Sequence, residues 1–246
     1  MKSETAPASD NTCELILALD LADKAEALGL LDRIDNGLAW VKVGLQMFTR
    51  WGPGLLDEVA GRGYRIFLDL KLHDISNTVA STVRSLASCP VEMMTLHASG
   101  GPGMIAAARD ARDACGSKAK LIAVTVLTSL DETALAAIGL QGPIPDRVQS
   151  LAGMAVDSGA DGLVCSPLEV RPLRTSLGQD SLLITPGIRP AGSEVGDQKR
   201  IMTPSDAAAA GSSFIVVGRP ILKAEDPKAT ALAIRDQLAR TSSAHA

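Results

Sequence analysis

The chain contains 246 residues, which is enough for one large α/β domain or two small ones. Hydrophobic residues make up 46% of it and aromatic residues only 2%, which suits a globular protein but not the aromatic surfaces on which single-stranded nucleic acid stacks. The net charge of −4 provides no overall positive field, so neither nucleic acid nor an anionic membrane is expected as a partner.

Residues 1–12 are polar and lack the apolar centre of a signal peptide, so they predict a disordered tail before a folded domain of residues 13–246. No apolar run approaches the ~18 residues of a membrane span. The four cysteines form no C-x-x-C pair and the three histidines have no metal-ligand spacing, so we expect reduced thiols and no metal site. These features together predict a soluble cytoplasmic protein.

Short apolar runs alternate with segments of helical periodicity along the chain. The predicted strands are residues 15–20, 40–44, 66–72, 93–98, 121–127, 162–166, 182–186 and 214–218. The predicted helices are residues 23–34, 46–62, 76–87, 102–114, 147–158, 168–177, 204–210 and 227–240. Residues 133–142 are interpreted as a small insertion, and nothing indicates a second domain.

Eight strands that alternate with eight helices are typical of a parallel sheet whose faces are covered by helices. At this length a single-domain α/β fold, the closed (β/α)8 TIM barrel, is the natural form. An open doubly wound sheet is the structural alternative, but no G-x-G-x-x-G sequence opens the first predicted helix. In such barrels the carboxyl ends of the strands carry the chemistry, so polar residues at those ends are candidate site residues.

The most informative stretch is the D-x-K-x-x-D pattern at the end of the third predicted strand. Asp69 and Lys71 are two residues apart and share one face of that strand, and Asp74 lies just beyond it. Lys42 lies on the neighbouring strand, between Val41 and Val43. Because buried charges are costly unless paired, the pattern predicts either a structural ion pair or an alternating network of carboxylates and ammonium groups. Taken alone, Lys42 is equally well explained as a lysine that reaches solvent from a strand end.

An alternating network keeps each carboxylate ionised and each ammonium protonated inside a poorly solvated site. It also places a carboxylate beside a proton donor, a combination that suits the formation and quenching of a carbanion. We therefore favour an acid/base array at the mouth of a barrel over a purely structural ion pair.

A phosphate site is predicted after the eighth strand. Gly218 allows a ligand to approach backbone N–H groups, and Arg219 offers a bidentate fork for an anion. The alternative is an arginine that is merely exposed at a strand end. The loop of residues 185–200 is rich in glycine and proline and too long for a plain connector, which predicts a lid whose Arg189 and Gln198 close on an anion. Either residue could instead be a solvated loop side chain.

Two weaker candidates complete the set. Asp20 ends the first strand and could bind sugar hydroxyls or cap the following helix. Thr128 could present backbone groups to a ring or begin a turn. His97 lies at the same rim, where a histidine that faces the core is the better interpretation.

These motifs resemble the orotidine 5′-phosphate decarboxylase family in its bacterial form. The resemblance runs through nearly the whole chain after the tail and rests on seven stretches: Leu17-Ala-Leu-Asp20, Val41-Lys-Val-Gly44, Asp69-Leu-Lys-Leu-His-Asp-Ile-Ser-Asn-Thr78, Leu96-His-Ala-Ser-Gly-Gly101, Val124-Thr-Val-Leu-Thr-Ser129, Thr185-Pro-Gly-Ile-Arg189 and Val217-Gly-Arg-Pro220. It implies an enzyme without cofactor or metal that converts orotidine 5′-monophosphate (OMP) to UMP, and a homodimer with active sites at the subunit interface.

The resemblance also implies a role for each site residue. Lys71 would protonate C6 of the pyrimidine, Asp69 would face the departing carboxylate, and Lys42 would hold both and reach the ribose. The remaining roles are ribose binding by Asp20, contribution to the partner subunit's site by Asp74, Ile75 and Thr78, contact with the pyrimidine edge by Thr128, and phosphate binding by Arg189, Gln198, Gly218 and Arg219.

Two other functions remain open. Related barrels that act on sugar phosphates, such as keto-gulonate phosphate decarboxylases and hexulose phosphate synthases, share a D-x-K-x-x-D element but use Mg²⁺ to hold an enediolate. A barrel that binds phosphorylated ligands without chemistry is the second alternative, and the intact Asp69 and Lys71 argue against it.

Overall fold

The structure, a computed structural model, describes residues 13–190 and 202–243. Within them, eight parallel strands close into a barrel in the order β1 to β8, with β8 paired to β1. The strands are Glu14–Ala18 (β1), Trp40–Gly44 (β2), Arg65–Leu72 (β3), Met93–His97 (β4), Lys120–Val124 (β5), Gly162–Val164 (β6), Leu182–Thr185 (β7) and Phe214–Val217 (β8). The predicted closed barrel is confirmed, and the open sheet is excluded because the first and last strands are hydrogen-bonded.

Helices connect the strands on the outside of the barrel. They are Lys24–Ile34 (α1), Leu45–Trp51 (α2), Pro53–Ala60 (α3), Ser76–Leu86 (α4), Pro102–Ala114 (α5), Glu132–Ala137 (α6), Ile144–Asp157 (α7), Val170–Leu177 (α8), Pro204–Ala210 (α9), Arg219–Leu222 (α10) and Pro227–Ser243 (α11). The single helix predicted over residues 46–62 is wrong, because two helices are present. Gly52 has φ +63 between them, and Pro53 begins α3.

Two further differences concern short elements. The stretch interpreted as an insertion contains α6, which Asp131 caps by accepting a hydrogen bond from the backbone N–H of Ala134. The strand predicted over residues 214–218 ends one residue earlier, and α10 follows at once. The helices α6 and α10 are too short to be recognised from the spacing of apolar residues, because that spacing has to repeat over several turns.

The apolar residues form two separate layers. The larger layer fills the space between the strands and the surrounding helices, and the smaller one fills the interior of the barrel. Three of the few aromatic residues, Trp40, Phe67 and Phe214, belong to that interior, where Trp40 and Phe214 meet edge to face at 5.3 Å between ring centroids. At the amino ends of the strands, charged groups border this layer: Trp40 donates a hydrogen bond to Glu14, and Arg65 lies 4.0 Å from the centre of the Trp40 ring.

No helix in the described ranges is long and apolar enough to cross a membrane. All four cysteines are free thiols. Residues 1–12, predicted to form a disordered tail, lie outside the described residues.

Candidate active site

A cavity of about 460 Å³ opens at the carboxyl ends of the strands. This volume is within the usual range for a small-molecule site. Several residues predicted from the sequence line it: Asp20, Lys42, Asp69, Lys71, Thr128, Arg189, Gly218 and Arg219. They come from β2, β3 and the segments after β1, β5, β7 and β8, so the barrel brings together residues that are far apart in the chain.

Four charged side chains form a row across one side of this cavity. The ammonium group of Lys42 lies 3.1 Å from Asp20 Oδ1 and 3.4 Å from Asp69 Oδ2. The ammonium group of Lys71 lies 2.8 Å and 2.9 Å from the two carboxylate oxygens of Asp69. The charges therefore alternate in the order Asp20, Lys42, Asp69, Lys71. Lys42 and Asp69 are almost enclosed, with 12% and 11% of their side chains exposed, whereas Asp20 is half exposed.

Asp69 is the carboxylate on which this row depends. Burial by itself raises the pKa of Asp69, but the charges of Lys42 and Lys71 and the hydrogen bonds from Lys71 and Thr95 together lower it below its ordinary value. Asp69 therefore stays ionised at neutral pH despite its enclosure. A carboxylate held between two ammonium groups also has little remaining attraction for a metal cation.

The backbone of Lys71 is unusual. Its φ is +52, a left-handed conformation that costs a residue with a side chain about 1–2 kcal/mol. The register of β3 against β4 shifts at the same place: Leu68 pairs with Met94 and Leu72 with Leu96, so three residues of β3 face one residue of β4. The bulge holds Lys71 over the cavity instead of leaving it in the regular ladder.

The residue opposite the bulge is Thr95, which sequence reasoning missed. It is fully buried, accepts a hydrogen bond from the Lys71 N–H at 2.8 Å, and donates one to Asp69 Oδ1 at 3.0 Å. The available signal was a single hydroxyl residue in the otherwise apolar first four positions of β4. Gly44 was also missed: a Cβ there would lie 3.1 Å from Lys42 Nζ and 3.3 Å from Asp20 Oδ1, so glycine leaves room for that ion pair.

Two arginines line the same cavity. Arg189 follows β7, is buried, and donates a hydrogen bond to the carbonyl of Ile188, whereas Arg219 follows β8 and is exposed. Gly218 packs against β1, where a Cβ would lie 3.4 Å from that of Ala18. Gln198, the remaining residue predicted for this end, lies outside the described residues, as does most of the predicted lid.

The residues predicted to serve a partner subunit lie apart from the cavity of their own chain. Asp74, Ile75 and Thr78 are exposed around the beginning of α4, and Asp74 accepts a hydrogen bond from the Ile75 N–H at 2.7 Å. Ile75 is 73% exposed, which is high for an isoleucine. Within one chain, the described cavity lining contains Asp69 and Lys71 but not Asp74.

Comparison with known proteins identifies the family to which this barrel belongs. Residues 14–234 match the family described as orotidine 5′-phosphate decarboxylase / HUMPS. The chain belongs to this family. The expectation from the motifs is therefore confirmed, and with it the enzyme class, a carboxy-lyase.

Curated relatives in the orotidine 5′-phosphate decarboxylase family match the chain over nearly their whole length. A protein of that name from Opitutus terrae is 47% identical over 94% of this chain and 99% of its own, and one from Vibrio parahaemolyticus is 48% identical over 92% and 97%. The crystal structure of the enzyme of that name from Lactobacillus acidophilus is 42% identical, covers 92% of this chain and 99% of its own, and has a TM-score of 0.83. The likeness therefore extends over sequence and fold together.

His97, the last residue of β4, is half-buried beside the exposed His73, with 5.3 Å between the ring centroids. Burial, and then the neighbouring His73 and Lys71, lower the pKa of His97 below its ordinary value, so the ring is neutral at neutral pH. It packs next to the charge row without adding a charge to it.

A second, larger cavity of about 670 Å³ lies at the other end of the barrel, beside Cys13 and Tyr64. Its arginines are already engaged: Arg62 pairs with Asp32, and Arg235 donates to the carbonyls of Asn36 and Gly37. The residues predicted for the site line the cavity at the carboxyl ends and not this one.

Proposed function

We propose that the protein decarboxylates OMP to UMP, without a cofactor, in pyrimidine biosynthesis. The observation that carries the proposal is the ammonium group of Lys71, held 2.8 Å from a buried carboxylate in a cavity that two arginines also line. This arrangement suits a ligand with a reacting ring at one end and a phosphate at the other.

The proposed reaction needs electrostatic stabilisation more than any other contribution. When the bond between C6 and the carboxylate breaks, its electron pair stays on C6 and CO₂ leaves. The resulting carbanion has no adjacent carbonyl to delocalise it. A fixed ammonium group stabilises this charge as it develops and then transfers a proton from Lys71 Nζ to C6, after which Lys71 recovers its proton from water.

Asp69 and Lys42 have supporting roles in this proposal. Asp69 fixes the Lys71 ammonium group through both of its oxygens and lies against the substrate carboxylate, which disfavours the bound ground state. Lys42 neutralises the second side of Asp69 and, with Asp20, meets the ribose hydroxyls. The half-exposed Asp20 suits a group that hydrogen-bonds a ligand.

The phosphate is assigned to the arginine side. Arg189 and Arg219 line the cavity there, and Gln198 and the backbone at Gly218 complete the proposed anion site. Thr128, half-buried at the rim after β5, is assigned to the pyrimidine edge. Phosphate binding, remote from C6, supplies binding energy that orients the reacting ring.

The proposed assembly is a homodimer in which Asp74, Ile75 and Thr78 reach the neighbouring subunit's site. Their exposure around the beginning of α4, and the 73% exposure of Ile75 in particular, support such a contact. Mixing Lys71→Ala and Asp74→Asn subunits tests it. A mixed dimer with shared sites has one site with both native residues, so equal mixing should restore about a quarter of wild-type activity. A mixture no more active than the two variants separately would contradict shared sites.

The Mg²⁺-dependent sugar phosphate enzymes are the alternative within the same family. The two ammonium groups around Asp69 disfavour a divalent cation there, which supports the nucleotide reaction. Cofactor independence and a cytoplasmic location stay predictions.

The deciding experiment follows OMP by its ultraviolet absorbance and identifies the product by chromatography. We expect loss of OMP with equal formation of UMP and CO₂. Unchanged OMP, together with turnover of a phosphorylated keto sugar in the presence of Mg²⁺, would replace this proposal with the alternative.

A further inference from the structure

Thr95 lies where the chain departs most from regular barrel geometry. It occupies the middle of β4 and is 0% exposed, and the three residues of β3 that face it include both Asp69 and Lys71. Its hydroxyl group contacts Asp69, one of the residues of the charge row, from inside the barrel.

The direction of both hydrogen bonds made by this hydroxyl is fixed by chemistry. The Lys71 N–H can only donate, so Thr95 Oγ1 accepts it at 2.8 Å. The ionised Asp69 can only accept, so the single hydroxyl proton points to Asp69 Oδ1 at 3.0 Å. One hydroxyl group therefore satisfies a backbone donor that the bulge removes from the sheet and a carboxylate oxygen in the charge row.

These two bonds act on the same lysine from both ends. Asp69 Oδ1 is also the oxygen that lies 2.8 Å from Lys71 Nζ. Thr95 thus holds the left-handed backbone of Lys71 directly and its ammonium group through Asp69. A hydrogen bond to a charged acceptor is the stronger kind, and it fixes the carboxylate orientation.

We propose that Thr95 is a positioning residue for the decarboxylation, and that its hydroxyl group keeps the Lys71 ammonium at the place where C6 becomes a carbanion. This inference rests on the proposed function. It assigns Thr95 no contact with substrate. The hydroxyl contributes through geometry, so its loss should lower kcat while leaving the affinity for the nucleotide largely intact.

The test compares Thr95→Val, which removes the hydroxyl, with Thr95→Ser, which keeps it. For Thr95→Val we expect kcat to fall about 10- to 100-fold, the size of one charge-assisted hydrogen bond, with UMP affinity by calorimetry within about threefold. For Thr95→Ser we expect kcat within about threefold of wild type. Thr125→Val is the matched control, because that buried threonine donates to the carbonyl of Val164 and not to a charged group.

Thr95→Cys provides a second comparison in case the valine variant does not fold. Serine and cysteine differ by one atom, and a thiol is a weak donor, so Thr95→Cys should lose kcat where Thr95→Ser does not. Equal kcat in these two variants, or losses of kcat matched by equal losses of UMP affinity, would overturn the positioning role. A wild-type protein inactive on OMP would instead overturn the proposed function, and the inference with it.

Discussion

Replacement of Lys71 by alanine removes the ammonium group that lies 2.8 Å and 2.9 Å from the oxygens of Asp69. Two contributions to the rate disappear together. A positioned general acid is worth about 10²–10⁴-fold, and a preorganised electrostatic donor about 10²–10³-fold. Since the same group supplies both, they are not independent, and we expect kcat to fall by at least about 10⁴-fold, or ~5.5 kcal/mol of activation free energy.

The same substitution should leave the fold and the phosphate site in place. Lys71 is 30% exposed, and Asp69 retains Lys42 at 3.4 Å, so no carboxylate is left buried without a cation. Arg189 and Arg219, which also line the cavity, are untouched. We therefore expect UMP affinity, measured by calorimetry, to stay within about tenfold of the wild-type value.

The assay is the loss of OMP absorbance under saturating substrate, supplemented by single-turnover measurements for slow variants. Lys24→Ala is the matched control, because Lys24 also forms an ion pair at 2.8 Å, with Glu58, but lies outside the cavity lining. Its turnover should equal that of the wild type. A Lys71→Ala enzyme within about tenfold of wild-type kcat would refute the assigned proton donor.

Three further predictions concern the anion site, the buried carboxylate and metal dependence. Arg219→Ala should raise the Kd for UMP about 10- to 100-fold. Arg33→Ala is the control, because Arg33 is exposed on α1, and it should leave the Kd unchanged. An unchanged Kd in Arg219→Ala would mean that the phosphate binds elsewhere. The folded-state pKa of Asp69 is lowered, so its ionised form contributes stability above its unfolded pKa of about 3.9. This contribution is lost as the pH falls through the folded-state pKa. In urea titrations, the difference in unfolding free energy between wild type and Asp69→Asn should therefore shrink below about pH 4. A difference independent of pH would contradict the pairing with Lys42 and Lys71. Exhaustive chelation should leave the OMP-decarboxylating activity unchanged, and activity restored only by Mg²⁺ would favour the sugar phosphate enzymes.

The sequence by itself determined the architecture to a large extent. Apolar runs of strand length that alternate with helical periodicity predict the barrel, because these periods are local properties of the chain. The helices Pro102–Ala114 and Pro204–Ala210 have the predicted bounds, since a proline begins each of them. The two short helices α6 and α10 and the break at Gly52 were not predicted, because each depends on only a few residues.

The candidate site was determined by the sequence only as a set of residues. The position of Asp69 and Lys71 on one strand face, and of Lys42 on the next strand, follows from the period of two and from strand order. That Lys42 lies between Asp20 and Asp69, with distances of 3.1 Å and 3.4 Å, depends on the pairing of β2 with both β1 and β3 and on the glycine at position 44.

Only the tertiary structure decided how Lys71 is held. Its left-handed backbone and its hydrogen bond to Thr95 arise because three residues of β3 face one residue of β4, a mismatch that neither strand reveals alone. Local periodicity specifies which face of a strand a side chain takes. Register between strands, and with it the distance between groups far apart in the chain, is set by packing of the whole barrel.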